Sequence, residues 1–229
     1  MTQKLIIGLT GLKQSGKTTA GKMLAEELQG MEVSFAEPIR KFISENFGYK
    51  EETKEDPIGF LDHCPITDNY NRHGARYPDQ ITPRYLMQTL GTEWGRDMIH
   101  PELWVLLLHR RLDMLAAHRP LSVFIVSDLR FDNEAKYIRS MGGEIVLMTN
   151  PEAKFIDSHV SEEGIRSSHI TQHIENDWKN DDAGKSALRE KVKALAHKLR
   201  TKAGLTLPLM PAAPQASPAQ ATRHVGERA

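Results

Sequence analysis

The sequence predicts an α/β chain in which a parallel sheet is flanked by helices. Short apolar runs rich in β-branched residues alternate with helical patterns, as expected of strands joined by crossover helices. A glycine-rich loop, Gly11 to Thr18 (G-L-K-Q-S-G-K-T), stands between the first such run and the first helical pattern. The chain has 229 residues, enough for one α/β domain with a substantial core.

The first strand is expected at Lys4 to Leu9 and the first helix at Thr18 to Leu28, with Met23, Leu24 and Leu28 on one side. The loop between them fits the phosphate-binding pattern G-x-x-x-x-G-K-[ST] at every fixed position. Glycines let successive backbone N–H groups point at phosphate oxygens, and the helix N-terminus adds positive potential. Gly11, Lys13, Ser15, Gly16, Lys17, Thr18 and Thr19 are therefore the candidates for binding a nucleoside triphosphate. Lys17 supplies charge to the β- and γ-phosphates, and the Thr18 hydroxyl is a candidate Mg²⁺ ligand.

Further strands are expected at Glu32 to Phe35, Leu121 to Ser127 and Gly143 to Met148, with helices at Asn133 to Met141 and Ser186 to Lys202. Two segments interrupt this plan. Residues 36–118 are far longer than a simple crossover and contain a polar stretch, Gly48 to Gln80, that reads as a surface insertion. Helical patterns follow it at Pro83 to Thr92 and Pro101 to Ala117. The second interruption, residues 150–178, is polar and lies where a cover over a phosphate site would be placed. Residues 209–229 are Pro-, Ala- and Gln-rich and are expected to form a disordered tail outside a domain spanning 1–208.

Three clusters carry candidate chemistry beyond the loop. The run Ser122 to Val126 leads through Ser127 into Asp128, an acid at a strand end, suited to organise Mg²⁺ or the acceptor; the alternative is a cap for the next helix. Arg130 follows, and its planar fork suits phosphate oxygens. In Thr82 to Asp97, Arg84, Gln88 and Gly91 fall on nearly one helix face and lead into Trp94 and Arg96. Glutamine can bond a base edge, tryptophan can stack and arginine can hold a monophosphate, while Tyr85, Leu86 and Leu90 would form the opposite, core face. After the second strand, Phe35 and Arg40 are acceptor candidates, with Lys41 as an alternative cation.

These clusters resemble the deoxynucleoside monophosphate kinases of tailed bacteriophages. The resemblance rests on the glycine-rich loop with S-F-A-E-P-I-R (34–40), on P-R-Y-L-M-Q-T-L-G-T-E-W-G-R-D (83–97) with Trp104, and on S-D-L-R-F-D-N-E-A (127–135). It implies a P-loop kinase fold with an acceptor-binding insertion at about 36–118 and a lid at about 150–178. It implies transfer of the γ-phosphate of ATP to a deoxynucleoside monophosphate with Mg²⁺. Lys17, Asp128 and Arg130 would be the catalytic set, and Thr18 and Asp128 the metal set. Phe35, Arg40, Arg84, Gln88, Trp94, Arg96 and Arg130 would meet the acceptor. In the expected lid Arg166 is the available arginine, with Lys154 as a second cation, and Asn180-Asp181 would lie near adenine.

Composition narrows the partners. Thirty basic and thirty acidic residues balance, which argues against a nucleic-acid binder. No apolar run reaches membrane-spanning length, and no signal peptide precedes the first strand, so a cytoplasmic protein is expected, in the host if the source is a phage. The single cysteine, Cys64, excludes an internal disulfide and, despite His63 beside it, makes a poor zinc site. A homodimer is left open. So are three rival functions: a P-loop kinase with a hydroxyl acceptor such as dephospho-coenzyme A, a P-loop ATPase, and a nucleotide-binding module without turnover.

Overall fold

The computed structural model describes residues 3–48, 50, 56, 58, 81–117, 121–151, 164–177 and 181–204. Its centre is a five-stranded sheet in the order β2-β3-β1-β4-β5, formed by β1 (Gln3–Thr10), β2 (Met31–Val33), β3 (Leu121–Val126), β4 (Glu144–Thr149) and β5 (Gln172–Glu175). Every pairing is parallel, with Ile7 opposite Ile125 and Gly8 opposite Ile145. All five chains therefore leave the sheet at the same edge, where ligands bind in open α/β sheets.

Helices cover both faces, which is why the central strands read as unbroken apolar runs. On one face α1 (Lys17–Leu28) and α6 (Asp182–Lys202) pack on alternate β1 residues Leu5, Ile7 and Leu9, through Met23, Leu24, Leu28, Val192 and Leu199. On the other face Ile6, Phe124 and Ile145 meet α2 (Glu37–Phe47), α4 (Leu103–Ala116) and α5 (Asp132–Ser140). Gly8 shares that face, where a Cβ would come within 2.7 Å of Ile138 Cδ1. Its bareness lets α5 sit close to the sheet.

The two long interruptions hold regular structure. Within 36–118, helices α2 and α4 contribute to the core: Ile39, Ile43, Trp104, Leu108 and Leu112 are buried. The polar stretch 48–80 lies almost wholly outside the described residues, as do Cys64 and His63. Within 150–178, Ser167–His169 forms a 3₁₀ turn and Gln172–Glu175 is edge strand β5, bonded to β4. That part is sheet, not lid; residues 152–163, the tail 209–229 and Asn180 fall outside the described residues.

The helix expected over Pro83 to Thr92 starts as predicted. In α3 (Pro83–Thr89) Thr82 is the N-cap, accepting from the Tyr85 N–H, and Pro83 occupies the first turn. At Leu90 the helix widens into a π-helix, Leu90–Ile99. His100 N–H donates to Gly95 O, five residues back, at 3.0 Å. Such widening recurs at functional sites.

Candidate active site

The glycine-rich loop closes off the end of β1. Gly11 has φ +141° and Gly16 φ +92°, values that side chains resist. Contact adds to the constraint. A Cβ on Gly11 would lie 2.1 Å from Met148 O on β4, and one on Gly16 would lie 2.5 Å from Asn176 Nδ2. Asn176 is buried just past β5 and donates to Ser15 O at 3.1 Å, so the edge strand holds the loop from outside. Lys17 Nζ curls back onto Gly11 O and Leu12 O, both at 2.7 Å. No side chain caps α1, so its first N–H groups face the loop, as anion-binding helix starts do. Thr18 is exposed there, with Lys13 and Thr19 half-buried and Ser15 buried.

A cleft opens beside the loop between α2, α3, the π-helix and the β3–α5 connection. Phe35, Ile39 and Arg40 line one side, Arg84, Met87 and Gln88 a second, and Arg96 and Trp104 the floor. Asp128, Arg130, Phe131 and Glu134 close it. The structure thus gathers every acceptor candidate except Trp94. That residue is 45% exposed and does not border the cleft. The physical reason is the π-helix. Its wider turn changes the phase of the helix, so Arg96 comes round to the cleft and Trp94 faces away. Trp104 takes the aromatic place, donating from Nε1 to Gly91 O at 2.7 Å.

Asp128 sits at the end of β3 as expected, but its oxygens are engaged. They accept from Ser34 Oγ at 2.5 Å, Phe35 N at 3.1 Å and Ala36 N at 3.0 Å, with Arg40 Nη2 at 3.6 Å. Asp128 is not bonded to the start of the helix that follows it; it braces the β2–α2 turn across the cleft, through the backbone N–H groups just ahead of α2. Arg40 also donates to Ser34 Oγ.

The start of α5 is served instead by Glu134, which sequence reasoning passed over. Its Oε2 accepts from Arg130 N at 2.9 Å and Phe131 N at 3.1 Å, and its Oε1 from Arg96 Nη2 at 2.6 Å. The carboxyl is almost fully buried, and that burial pushes its pKa up to about 7 against the pull of Arg96 and the two N–H groups. Arg96 is fixed further by Gly91 O at 2.7 Å and by the Phe131 ring, whose centroid lies 3.8 Å away. The signal that could have found Glu134 is its place three residues into α5, but the capping-box pattern needs Ser or Thr at the N-cap and here that residue is Phe131.

A second cavity lies on the other side of Arg130, bounded by Thr10, Gly11 and Leu12, by the end of β4 and by residues 164–170. Arg130 lines both cavities. Arg166, the expected lid arginine, is held to Asp132 through its backbone N–H at 2.8 Å and its Nε at 2.5 Å. The described residues hold no cluster of metal-ligating side chains and no helix long and apolar enough to cross a membrane.

A parallel sheet with a phosphate loop after its central strand and a second polar cleft beside it defines a P-loop kinase fold. The profile of the deoxynucleotide monophosphate kinase family matches residues 66–185. A protein of Acanthamoeba polyphaga mimivirus assigned as a deoxynucleotide monophosphate kinase is 33% identical over 184 residues, covering 71% of this chain and 83% of that protein. The deoxynucleoside-5′-monophosphate kinase of Escherichia phage T5 is 32% identical over 113 residues, and the deoxynucleotide monophosphate kinase of Enterobacteria phage T4 is 32% identical over 120. Those two matches take in 44% and 47% of the phage proteins. Among solved structures, dephospho-CoA kinase from Campylobacter jejuni superposes with a TM-score of 0.47 at 13% identity, covering 87% of this chain and 99% of the other; these distant likenesses decide nothing about the acceptor. The chain belongs to the deoxynucleotide monophosphate kinase family and is a nucleoside monophosphate kinase.

Proposed function

We propose that this enzyme transfers the γ-phosphoryl group of ATP to a deoxynucleoside 5′-monophosphate, giving the diphosphate. The observation that carries the reading is Arg130, which borders both the acceptor cleft and the cavity at the phosphate loop. A side chain in that position can neutralise charge on a group moving from one to the other. The loop that opens α1, with no side-chain cap on the helix, fits triphosphate oxygens. Lys17 then exchanges its two carbonyl partners for the β- and γ-phosphates.

Mg²⁺ would sit against the exposed Thr18 hydroxyl, where it neutralises phosphate charge. Asp128 holds the β2–α2 turn, its oxygens accepting from Ser34, Phe35 and Ala36, and from there would orient the Mg²⁺ shell or the acceptor. The acceptor phosphate is a competent nucleophile near neutral pH, so catalysis is positioning and electrostatics with no strong base. Arg40, Arg84 and Arg96 provide the positive wall for that phosphate, and Phe35 and Trp104 the apolar walls for sugar and base. Gln88 offers a donor and an acceptor to a base edge. In this reading the kinase domain is residues 1–208, the lid falls within about 150–178 outside β5, and the tail 209–229 has no part in catalysis. The partners are small nucleotides, not nucleic acid or membrane, and a homodimer is compatible with it.

The test is a screen of the four deoxynucleoside monophosphates and their ribose counterparts with ATP and Mg²⁺, reading diphosphate formed. Turnover of at least one deoxynucleotide in preference to its ribose form is expected. Phosphorylation of dephospho-coenzyme A alone, or ATP binding with no transfer, overturns the proposal.

A further inference from the structure

We infer that Glu134 is a positioning residue for phosphoryl transfer, one carboxylate that sets the acceptor-side Arg96 and the phosphoryl-side Arg130 at a fixed spacing. The inference rests on the reaction proposed above. Each oxygen has its own task. Oε1 takes the Arg96 guanidinium at 2.6 Å, and Oε2 takes the backbone N–H groups of Arg130 at 2.9 Å and Phe131 at 3.1 Å. Glu134 is 2% exposed and borders the cleft that Arg96 and Arg130 also line. One side chain therefore joins the π-helix to the β3–α5 connection at the point where the two cavities meet.

Stability alone gives a weak reason for such a pair. A buried ion pair is often no more stabilising than apolar side chains of the same volume, because desolvation offsets the attraction. What a carboxylate with each oxygen committed to a different element gives is geometry. Arg96 has its guanidinium plane set by the Phe131 ring below it and by Gly91 O at its other fork, and Glu134 fixes the remaining direction. The charged groups acting on Glu134 are Arg96, from the π-helix, and Asp128, from the end of β3. In-line transfer needs acceptor and donor phosphates held in one line, and a misplacement of about 1 Å can cost on the order of a hundredfold in rate. A shared anchor removes the independent drift of the two arginines.

The experiment is a double-mutant cycle on the full chain: parent, E134Q, R96A and the double variant. For each, kcat and KM are measured for a deoxynucleoside monophosphate and for ATP, with thermal unfolding to show folding. Glutamine keeps an oxygen for the Arg130 and Phe131 N–H groups but turns an NH₂ toward Arg96. The expected result for E134Q is a fall of at least about tenfold in kcat/KM for the acceptor, with KM for ATP within about twofold of the parent. In the R96A background E134Q should cost less than about threefold more, because the link it breaks is already gone. Should E134Q fail to fold, R96K decides: lysine keeps the charge and loses the fork, and the same selective tenfold loss is expected. Additive losses in the cycle, or near-parent kcat/KM in folded E134Q or in R96K, overturn the inference while leaving the reaction standing. A parent that phosphorylates no deoxynucleoside monophosphate overturns the reaction and takes the inference with it.

Discussion

Gly95 lies flat against Trp104. A Cβ at position 95 would come 2.4 Å from Trp104 Cζ2 and 2.8 Å from Leu90 O. Neither neighbour is the loose end of a flexible chain. Trp104 is buried, and its Nε1 is tied to Gly91 O. Gly95→Ala therefore sets two effects against each other. Alanine gains about 1 kcal/mol in helix propensity, and overpacking costs roughly 1–3 kcal/mol. At these distances overpacking wins. A lowered melting temperature is expected, together with a raised KM for the acceptor, because the ring that must yield borders the cleft. An unchanged melting temperature would show that Trp104 has room to move.

Lys17→Ala is expected to lower turnover by about 3 kcal/mol of barrier or more, the scale of a lost charge contact to a transferring group. Stability should change little. The Lys17 bonds to the loop carbonyls Gly11 O and Leu12 O, both at 2.7 Å, can be replaced by water. Steady-state kinetics beside a thermal melt checks both halves, and near-parent turnover in a folded variant refutes the donor site.

Arg130→Lys should not behave as a mild change. Lysine keeps the charge but loses the paired geometry that serves two cavities. A fall of at least about tenfold in kcat is expected, equal to roughly 1.4 kcal/mol. If Arg130→Ala also works like the parent, the boundary position is incidental.

Glu134 gives a pH prediction with a definite sign. Its folded pKa is raised to about 7, so between the ordinary glutamate value and pH 7 the folded state binds a proton that the unfolded state releases. The stability this contributes is fully present below the unfolded pKa and is lost as pH rises through about 7. Half-buried Asp132, held below its usual range by the Arg166 N–H, slopes the other way at lower pH. The difference between parent and E134Q in denaturant midpoint isolates the first effect. The stability of the parent relative to E134Q should fall as pH rises from 5 to 8; a flat difference contradicts the shift.

Gln88→Ala tests base readout. A loss of kcat/KM confined to some bases supports a direct contact, and a uniform loss makes Gln88 a packing residue. Glutamine sites that bond a substrate edge reject the wrong edge because buried polar groups are left unpaired.

The loop and β1 were legible in the sequence because fixed motif positions and an unbroken apolar run state the same thing twice. β3 and β4 were legible for the second reason, and α1 because Met23, Leu24 and Leu28 mark one buried side. β5 was not: Gln172, His173 and Glu175 surround one buried residue, Ile174, as suits an edge strand. Arg84 and Gln88 share a face because α3 keeps helical period up to Thr89. Trp94 was misplaced because periodicity carries no mark of a π-helix. Asn176 and Glu134 were missed for a shared reason. Each acts by bonding backbone distant in sequence or out of pattern, Ser15 O in one case and the N–H groups ahead of α5 in the other.

The two tethers at the β3–α5 connection also divide the labour of the cleft. Asp128 anchors the β2–α2 wall and Glu134 the π-helix wall, while Arg84, Met87 and Gln88 stand on α3, a short helix whose buried residue is Pro83. Neither anchor nor the phosphate loop includes those three positions. On the reaction proposed above, acceptor preference is open to redesign from a single two-turn helix, and a library confined to positions 84, 87 and 88 is where selection for a new nucleotide should begin.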